Sequence, residues 1–330
     1  MIISKTPFRI SFAGGGSDLP CFYRKETGAV LSTSINKYIY LAIHPFFDTK
    51  RIQLKYSKTE LVSNIAEIAH PIFKTVIEMY NLNGVDINSI ADAPSGTGLG
   101  SSSSFTVGLL NVINAYNNTF ISTDELARLA CEIEIDLLKG PIGKQDQYVA
   151  AHGGLNFITF NPDETVNVHK IIMDPLKKRE LDENLIMIYT GDERLANTIL
   201  EQMNCAIEEK GKFQVQKSMV GLAFDLKDSL EKNDIDNFGR ILHEGWLLKK
   251  SMIKCISNTI IDEIYKDGIN AGALGGKLLG AGGGGFVLFY CPKEKQNEFR
   301  RQMSGYTEFK FRFDNYGSKI IYKGDADNEI

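Results

Sequence analysis

Between residues 94 and 104 the chain reads Pro-Ser-Gly-Thr-Gly-Leu-Gly-Ser-Ser-Ser-Ser, then runs directly into Phe105, Leu109, Ile113 and Tyr116 at helical spacing. Glycine at this density does not sit inside a helix or strand. The segment therefore has to be a turn that delivers the backbone to a helix amino terminus. Such a terminus offers N–H groups without intrahelical acceptors, reinforced by the positive end of the helix dipole, and so attracts anions. Gly96, Thr97, Gly98, Gly100, Ser101, Ser102 and Ser103, entered through Pro94, supply the N–H groups and hydroxyls that suit phosphate. A serine hydroxyl at the same place can ligate magnesium. The Gly-Lys-Ser/Thr ending of a Walker loop is missing, and the spacing is not that of the dinucleotide fingerprint. The alternative, a flexible Gly/Ser linker, fits poorly because linkers seldom open onto a strongly apolar helix.

Glycine occurs 30 times, and a large share falls in three loops, at 14–16, 96–100 and 280–285. Each lies beside a strand or helix end. Phe8, Ile10 and Phe12 alternate with Arg9 and Ser11, so a half-buried strand leads into the first loop. Tyr38–Ile43, Val85–Ile90, Leu185–Tyr189 and Phe286–Cys291 read as further strands, the last directly after the third loop. Phe309, Phe311 and Phe313 read as one more. Residues 60–80, 194–230 and 235–267 read as helical. The polar stretch from 161 to 183 is the candidate boundary between an amino-terminal domain, 1–165, and a carboxy-terminal domain, 166–330.

Ser122-Thr-Asp-Glu125 is a capping box that starts a helix ending at Gly140-Pro141. Glu125, Arg128, Glu132, Asp136 and Lys139 form its solvated stripe. Glu134 shares the opposite face with Ala127, Ala130, Cys131, Leu137 and Leu138. A carboxylate there needs a partner, because burying it unpaired costs several kcal/mol or raises its pKa. With Asp146 it supplies the two acids that phosphoryl transfer uses, one for the metal and one for the attacking hydroxyl. Taken singly, Glu134 could be a salt-bridged core residue, Asp146 a helix cap and Arg9 a surface ion-pair residue.

The 330 residues have a formal net charge of -4 with scattered basic side chains, which argues against nucleic acid or an anionic membrane as partner. Five widely spaced cysteines without a CxxC pair give neither a zinc site nor a disulfide framework. No uncharged apolar run approaches the ~18 residues of a membrane span, and the amino terminus lacks a signal-peptide core. The expectation is a cytoplasmic protein.

Three ordered stretches, Thr6–Pro20, Pro94–Ser104 and Gly275–Gly285, together resemble the GHMP kinases, the family of galactokinase, homoserine, mevalonate and phosphomevalonate kinases. The similarity spans nearly the whole chain. It implies an α+β GHMP kinase fold, with an amino-terminal domain like domain 2 of ribosomal protein S5 and a ferredoxin-like carboxy-terminal domain. It also implies ATP and Mg2+ as cofactors. By resemblance Asp146 is the catalytic acid and Arg9 the basic residue beside it, while Ser102 and Glu134 are the metal ligands. Pro94, Gly96, Thr97, Gly98, Gly100 and Ser101–Ser103 would wrap the ATP phosphates. Gly15, Gly16, Ser17, Asp18, Gly282 and Gly283 would face the acceptor.

Gly-Gly-Gly-Ser-Asp18-Leu-Pro20, Lys144-Gln-Asp-Gln-Tyr148, Tyr189–Arg194 and Gly276–Phe286 are similar to the branch acting on heptose 7-phosphate at its anomeric hydroxyl. Fucose-type kinases share part of that pattern. Arg194, or else Lys277, is the expected holder of the sugar's own phosphate. The expected partner is thus a small sugar phosphate, and the enzyme could work as a homodimer. A kinase for another sugar, a nucleotide-binding regulator without catalysis and a metabolite-binding scaffold are the alternatives.

Overall fold

A computed structural model of the chain describes residues 1–191 and 196–324. Its strands are β1 (Ile2–Ala13), β2 (Gly28–Pro45), β3 (Ile52–Lys55), β4 (Thr59–Val62), β5 (Val85–Ala91), β6 (Leu155–Phe160), β7 (Val166–Lys170), β8 (Leu185–Tyr189), β9 (Gly275–Leu278), β10 (Phe286–Tyr290), β11 (Thr307–Glu308) and β12 (Lys319–Lys323). The larger sheet runs β12-β1-β2-β5-β3-β4, with β6 pairing the first half of β2 and β7 pairing β6. β3 lies parallel to β5, and the other neighbours in this sheet are antiparallel. The smaller sheet, β11-β8-β10-β9, is antiparallel throughout. Both β7, just past residue 165, and β12, near the far end of the chain, hydrogen-bond into the larger sheet, so chain order and sheet membership part company there.

Two local readings differ from the observed elements. Residues 309–312 are not a strand: β11 ends at Glu308, Phe311 is buried, Phe313 makes an isolated bridge to Ile35, and the next regular ladder is that of β12. Alternating apolar residues can line a core from an irregular segment as well as from a strand. The stretch 60–80 contains β4 and a single 3-10 turn before its helix, Pro71–Met79, starts at the proline.

The helix Ser101–Tyr116 is the centre of the core. Val107, Leu109, Leu110, Val112 and Ile113 are fully buried against the sheet, which is why its apolar residues surround it rather than form a stripe. Its N-cap is Gly100, in the left-handed region at φ +73. The loop that delivers it is met from the other side by the loop between β9 and β10. A Cβ added to Gly98 would stand 2.8 Å from the Leu279 carbonyl oxygen, and one on Gly280 would stand 2.4 Å from the Gly98 Cα. The two glycine loops thus pack backbone on backbone, and only glycine permits it.

Gly280→Ala adds a Cβ into that contact at φ +68 and is expected to lower unfolding free energy by about 2–3 kcal/mol in urea titration. Gly211→Ala, whose Cβ would meet nothing within 4 Å in the helix Lys210–Glu231, is the control, expected to be neutral or to stabilise by up to about 1 kcal/mol.

Candidate active site

β1 carries Arg9 into a cleft whose floor is the start of the helix Gln145–His152. Arg9 is 5% exposed and forms a two-pronged ion pair with Asp146: Nε donates to Oδ1 at 2.7 Å and Nη2 donates to Oδ2 at 2.7 Å. Its third arm, Nη1, donates to the Gly98 carbonyl, and its backbone N–H donates to the Leu99 carbonyl at 3.0 Å. The fork geometry of guanidinium makes such a bidentate pair both strong and directional. Gln145 Nε2 donates to Asp146 Oδ1 at 3.2 Å, itself held by Ser11. Oδ1 therefore accepts two hydrogen bonds and Oδ2 one, which leaves Oδ2 a lone pair for another donor.

Asp18 stands at the turn after the first glycine loop. Its Oδ1 accepts from Gly16 N–H at 3.0 Å and its Oδ2 from Gln145 N–H at 3.2 Å. Burial, and then the nearby charge of Asp146, push its pKa up, while those two N–H groups pull it down. Asp18 thus ties the first loop to the helix bearing Asp146 and keeps its remaining acceptor capacity at the cleft wall.

Glu134 lies behind the phosphate loop. Ser102 Oγ donates to its Oε1 at 3.0 Å and Gln147 Nε2 to its Oε2 at 2.7 Å. It is 4% exposed, and burial raises its pKa, partly offset by hydrogen bonds from Ser103, Gln147, Ser102 and Thr106. The helix that starts at the Ser122 cap widens here into a π turn, Glu132–Leu137, in which Leu138 N–H donates to the Ile133 carbonyl. Such turns recur at functional sites. The wider turn also rotates Leu137 out to 51% exposure, away from the apolar face that a regular helix would give it.

The remaining expected residues fall into two groups. Gly15, Gly16, Asp18, Gly96, Gly98, Gly100, Ser101, Ser102, Ser103, Lys277 and Gly282 line the same cleft as Arg9 and Asp146. Ser17, Thr97, Pro94 and Gly283 do not. The Ser17 hydroxyl is spent on the backbone of Gly14 and Ala29. Thr97 caps the Pro94 carbonyl, and Gly283 N–H bonds to Ile256. Pro94 instead borders a second cavity behind the loop, between Tyr56, His70, Ile72, Phe105 and Ser102. Arg194 lies outside the described residues.

Two features escaped sequence reasoning. One is the second cavity, an aromatic-walled recess reached from the phosphate loop, in which the His70 and Phe105 rings lie 5.1 Å apart and burial lowers the His70 pKa. The other is Lys249, which lines the main cleft at 8% exposure. It shares one face of the helix Phe238–Met252 with the buried Phe238, Leu242 and Trp246. A charge on an apolar stripe was the signal that singled out Glu134, and it was equally available here.

A glycine-wrapped helix terminus, a buried acid touching its second serine, and a guanidinium-clamped carboxylate across the cleft together suit a triphosphate and an acceptor hydroxyl. The chain matches the GHMP kinases N terminal domain over residues 60–154 and the GHMP kinases C terminal over residues 226–307. It is also 31% identical to the D-glycero-alpha-D-manno-heptose 7-phosphate kinase of Campylobacter jejuni, across 96% of this chain and 98% of that one. The chain belongs to the GHMP kinases. As a GHMP sugar kinase it uses ATP and has a hydroxyl group as acceptor. The crystal structure of a D-glycero-D-manno-heptose 1-phosphate kinase from Bacteriodes thetaiotaomicron superposes with TM-score 0.82 at 26% identity, covering 98% and 100% of the two chains. A bifunctional fucokinase/GDP-fucose pyrophosphorylase of Arabidopsis thaliana is 27% identical over 94% of this chain and 32% of its own length. Among the described residues no helix is long and apolar enough to cross a membrane.

Burial, and then the charge of Arg9, bring the Lys249 pKa down from 10.5 to about 8. Between those values the unfolded kinase holds a proton at this position that the folded kinase does not, so stability rises with pH across the window. Lys249→Met should remove this slope: unfolding titrations from pH 7.5 to 10.5 should show the wild type gaining up to about 3 kcal/mol relative to the variant.

Proposed function

We propose that this GHMP kinase transfers the γ-phosphoryl group of ATP to the anomeric hydroxyl of D-glycero-D-manno-heptose 7-phosphate, giving the 1,7-bisphosphate. The arrangement that carries this reading is the clamped Asp146 facing the amino terminus of the helix Ser101–Tyr116 across one cleft. The names of the Campylobacter and Bacteriodes relatives share a D-glycero-D-manno-heptose as the sugar, and the Campylobacter name, a 7-phosphate kinase, supports the 7-phosphate as acceptor. The product suits a route to activated heptose for a surface polysaccharide.

In this reading the N–H groups from Gly96 to Ser103 hold the triphosphate, and the recess beside Tyr56, His70 and Phe105 takes the flat base. Asp146 Oδ2 accepts the anomeric O–H, orients its oxygen toward the γ-phosphorus and receives the proton as the new P–O bond forms and ADP departs. Arg9 fixes the orientation of the Asp146 carboxylate and offsets negative charge in the transition state. Asp18 and the first glycine loop bind sugar hydroxyls.

The donors at Ser102 and Glu134 suit Mg2+, being oxygens alone, one of them a buried carboxylate with no basic side chain on it among the described residues. Among the described residues no three acidic, His or Cys groups cluster into a complete metal cage. That suits an ion which completes its shell with nucleotide phosphates and water. When bound, Mg2+ would neutralise charge on the β- and γ-phosphates.

Coupled ADP release should show turnover with heptose 7-phosphate well above that with fucose or free hexoses. Asp146→Asn should cut kcat by about 10²–10⁴-fold with KM for ATP little changed. Equal turnover of free and phosphorylated sugars would shift the acceptor to another sugar, and ATP binding without any ADP release would leave a regulator.

A further inference from the structure

Lys249 and Lys277 reach the cleft from different elements, a helix and β9, and both are almost completely buried, at 8% and 7% exposure. Each ammonium is aimed by a backbone carbonyl: Lys277 Nζ donates to Phe12 O at 3.0 Å, and Lys249 Nζ donates to Gly280 O. An ammonium has three N–H donors, so each keeps hydrogens for a further acceptor. What faces them electrostatically is positive. Burial, Lys249 and Arg9 hold the Lys277 pKa well below its usual value, and no carboxylate among the described residues opposes them. Arg9 is already occupied by Asp146.

Two amines buried with no acidic partner among the described residues are costly to charge, whereas an arriving anion offsets much of that cost. The expected location is also anion-friendly. Gly280, whose carbonyl holds Lys249, lies on Gly98 of the phosphate loop, and the Gly280–Gly282 turn lines the same wall.

We infer that Lys249 and Lys277 form a subsite for one substrate phosphate group, a phosphomonoester or terminal phosphate oxyanion that completes their hydrogen bonding on arrival. This rests on the reading of the cleft as the phosphoryl-transfer site, and it adds a residue that the Arg194 and Lys277 expectation did not contain. The oxyanion can come from the phosphorylated acceptor or from the end of ATP. Both satisfy the same donors.

Two arms test it. The first needs no turnover: thermal unfolding of the wild type with increasing inorganic phosphate, against Lys249→Met and Lys277→Met. The wild type should be stabilised by phosphate and both variants much less so, although the variants, freed of a buried charge, should be at least as stable without it. The second arm compares KM values in the same proteins, with Lys249→Arg as the charge-preserving variant. A rise of about 30-fold or more in KM for the sugar phosphate, with KM for ATP within about twofold, assigns the subsite to the acceptor. The reverse split assigns it to the nucleotide. Lys249→Arg should recover part of the loss in either case. If phosphate fails to stabilise the wild type, or if both KM values stay within about twofold in the Met variants, the subsite is overturned. Should the wild type turn over no sugar phosphate, the substrate assignment fails, while the phosphate-stabilisation arm still decides the subsite.

Discussion

Arg9 is the side chain through which the parts of this cleft know one another. From the middle of β1 it grips both oxygens of Asp146, holds the Gly98 carbonyl, and has its own N–H on Leu99. One guanidinium thus joins the largest sheet, the phosphate loop and the helix that bears the acid. Lysine could not replace it, since a point charge cannot make two parallel bonds to a carboxylate and a third to a carbonyl in one plane. The clamp is crowded enough that a Cβ on Gly100 would stand 3.1 Å from both the Arg9 Cγ and the Asp146 Oδ2. The glycines of the loop serve this closeness as much as they serve phosphate.

The cleft divides its charges by side. Acids lie toward the larger sheet and its helices: Asp18, Asp146 and, behind Ser102, Glu134. The lysines, Lys249 and Lys277, which have no acidic partner among the described residues, come from the helix and strand of the smaller-sheet half. A low-dielectric cleft makes both sets costly when nothing lies between them, and both favourable around a polyanion and its metal. The same arrangement that suits phosphoryl transfer therefore leaves the empty fold less stable than a neutral lining would, a common trade at catalytic sites.

Much of this was legible in residue order because the chemistry sits on local patterns. The turn into the helix Ser101–Tyr116 follows from glycine and serine beside an apolar run, and Glu134 from a carboxylate on an apolar helical face. What was not legible depends on where the chain goes next. The π turn at Glu132–Leu137 breaks a 3.6-residue wheel that nothing in its composition forbids. The return of β12 to β1 joins residues more than three hundred positions apart, a pairing that local patterning cannot express. The resemblance turned Ser17 toward the acceptor, yet its hydroxyl closes the first glycine loop on Gly14 and Ala29. Lys249 belongs to no motif, although its place on a buried helical stripe follows the same pattern as Glu134.

The most direct measurement is a crystal structure of the kinase with Mg2+ and a non-hydrolysable ATP analogue. The expected density has the triphosphate across the N–H groups of Gly96–Ser103, its metal touching Ser102 and Glu134, and its terminal phosphate facing Asp146 with room for an acceptor oxygen between them. A nucleotide seated elsewhere on the molecule, or one whose terminal phosphate points away from Asp146, would contradict the convergence on which the proposed chemistry depends.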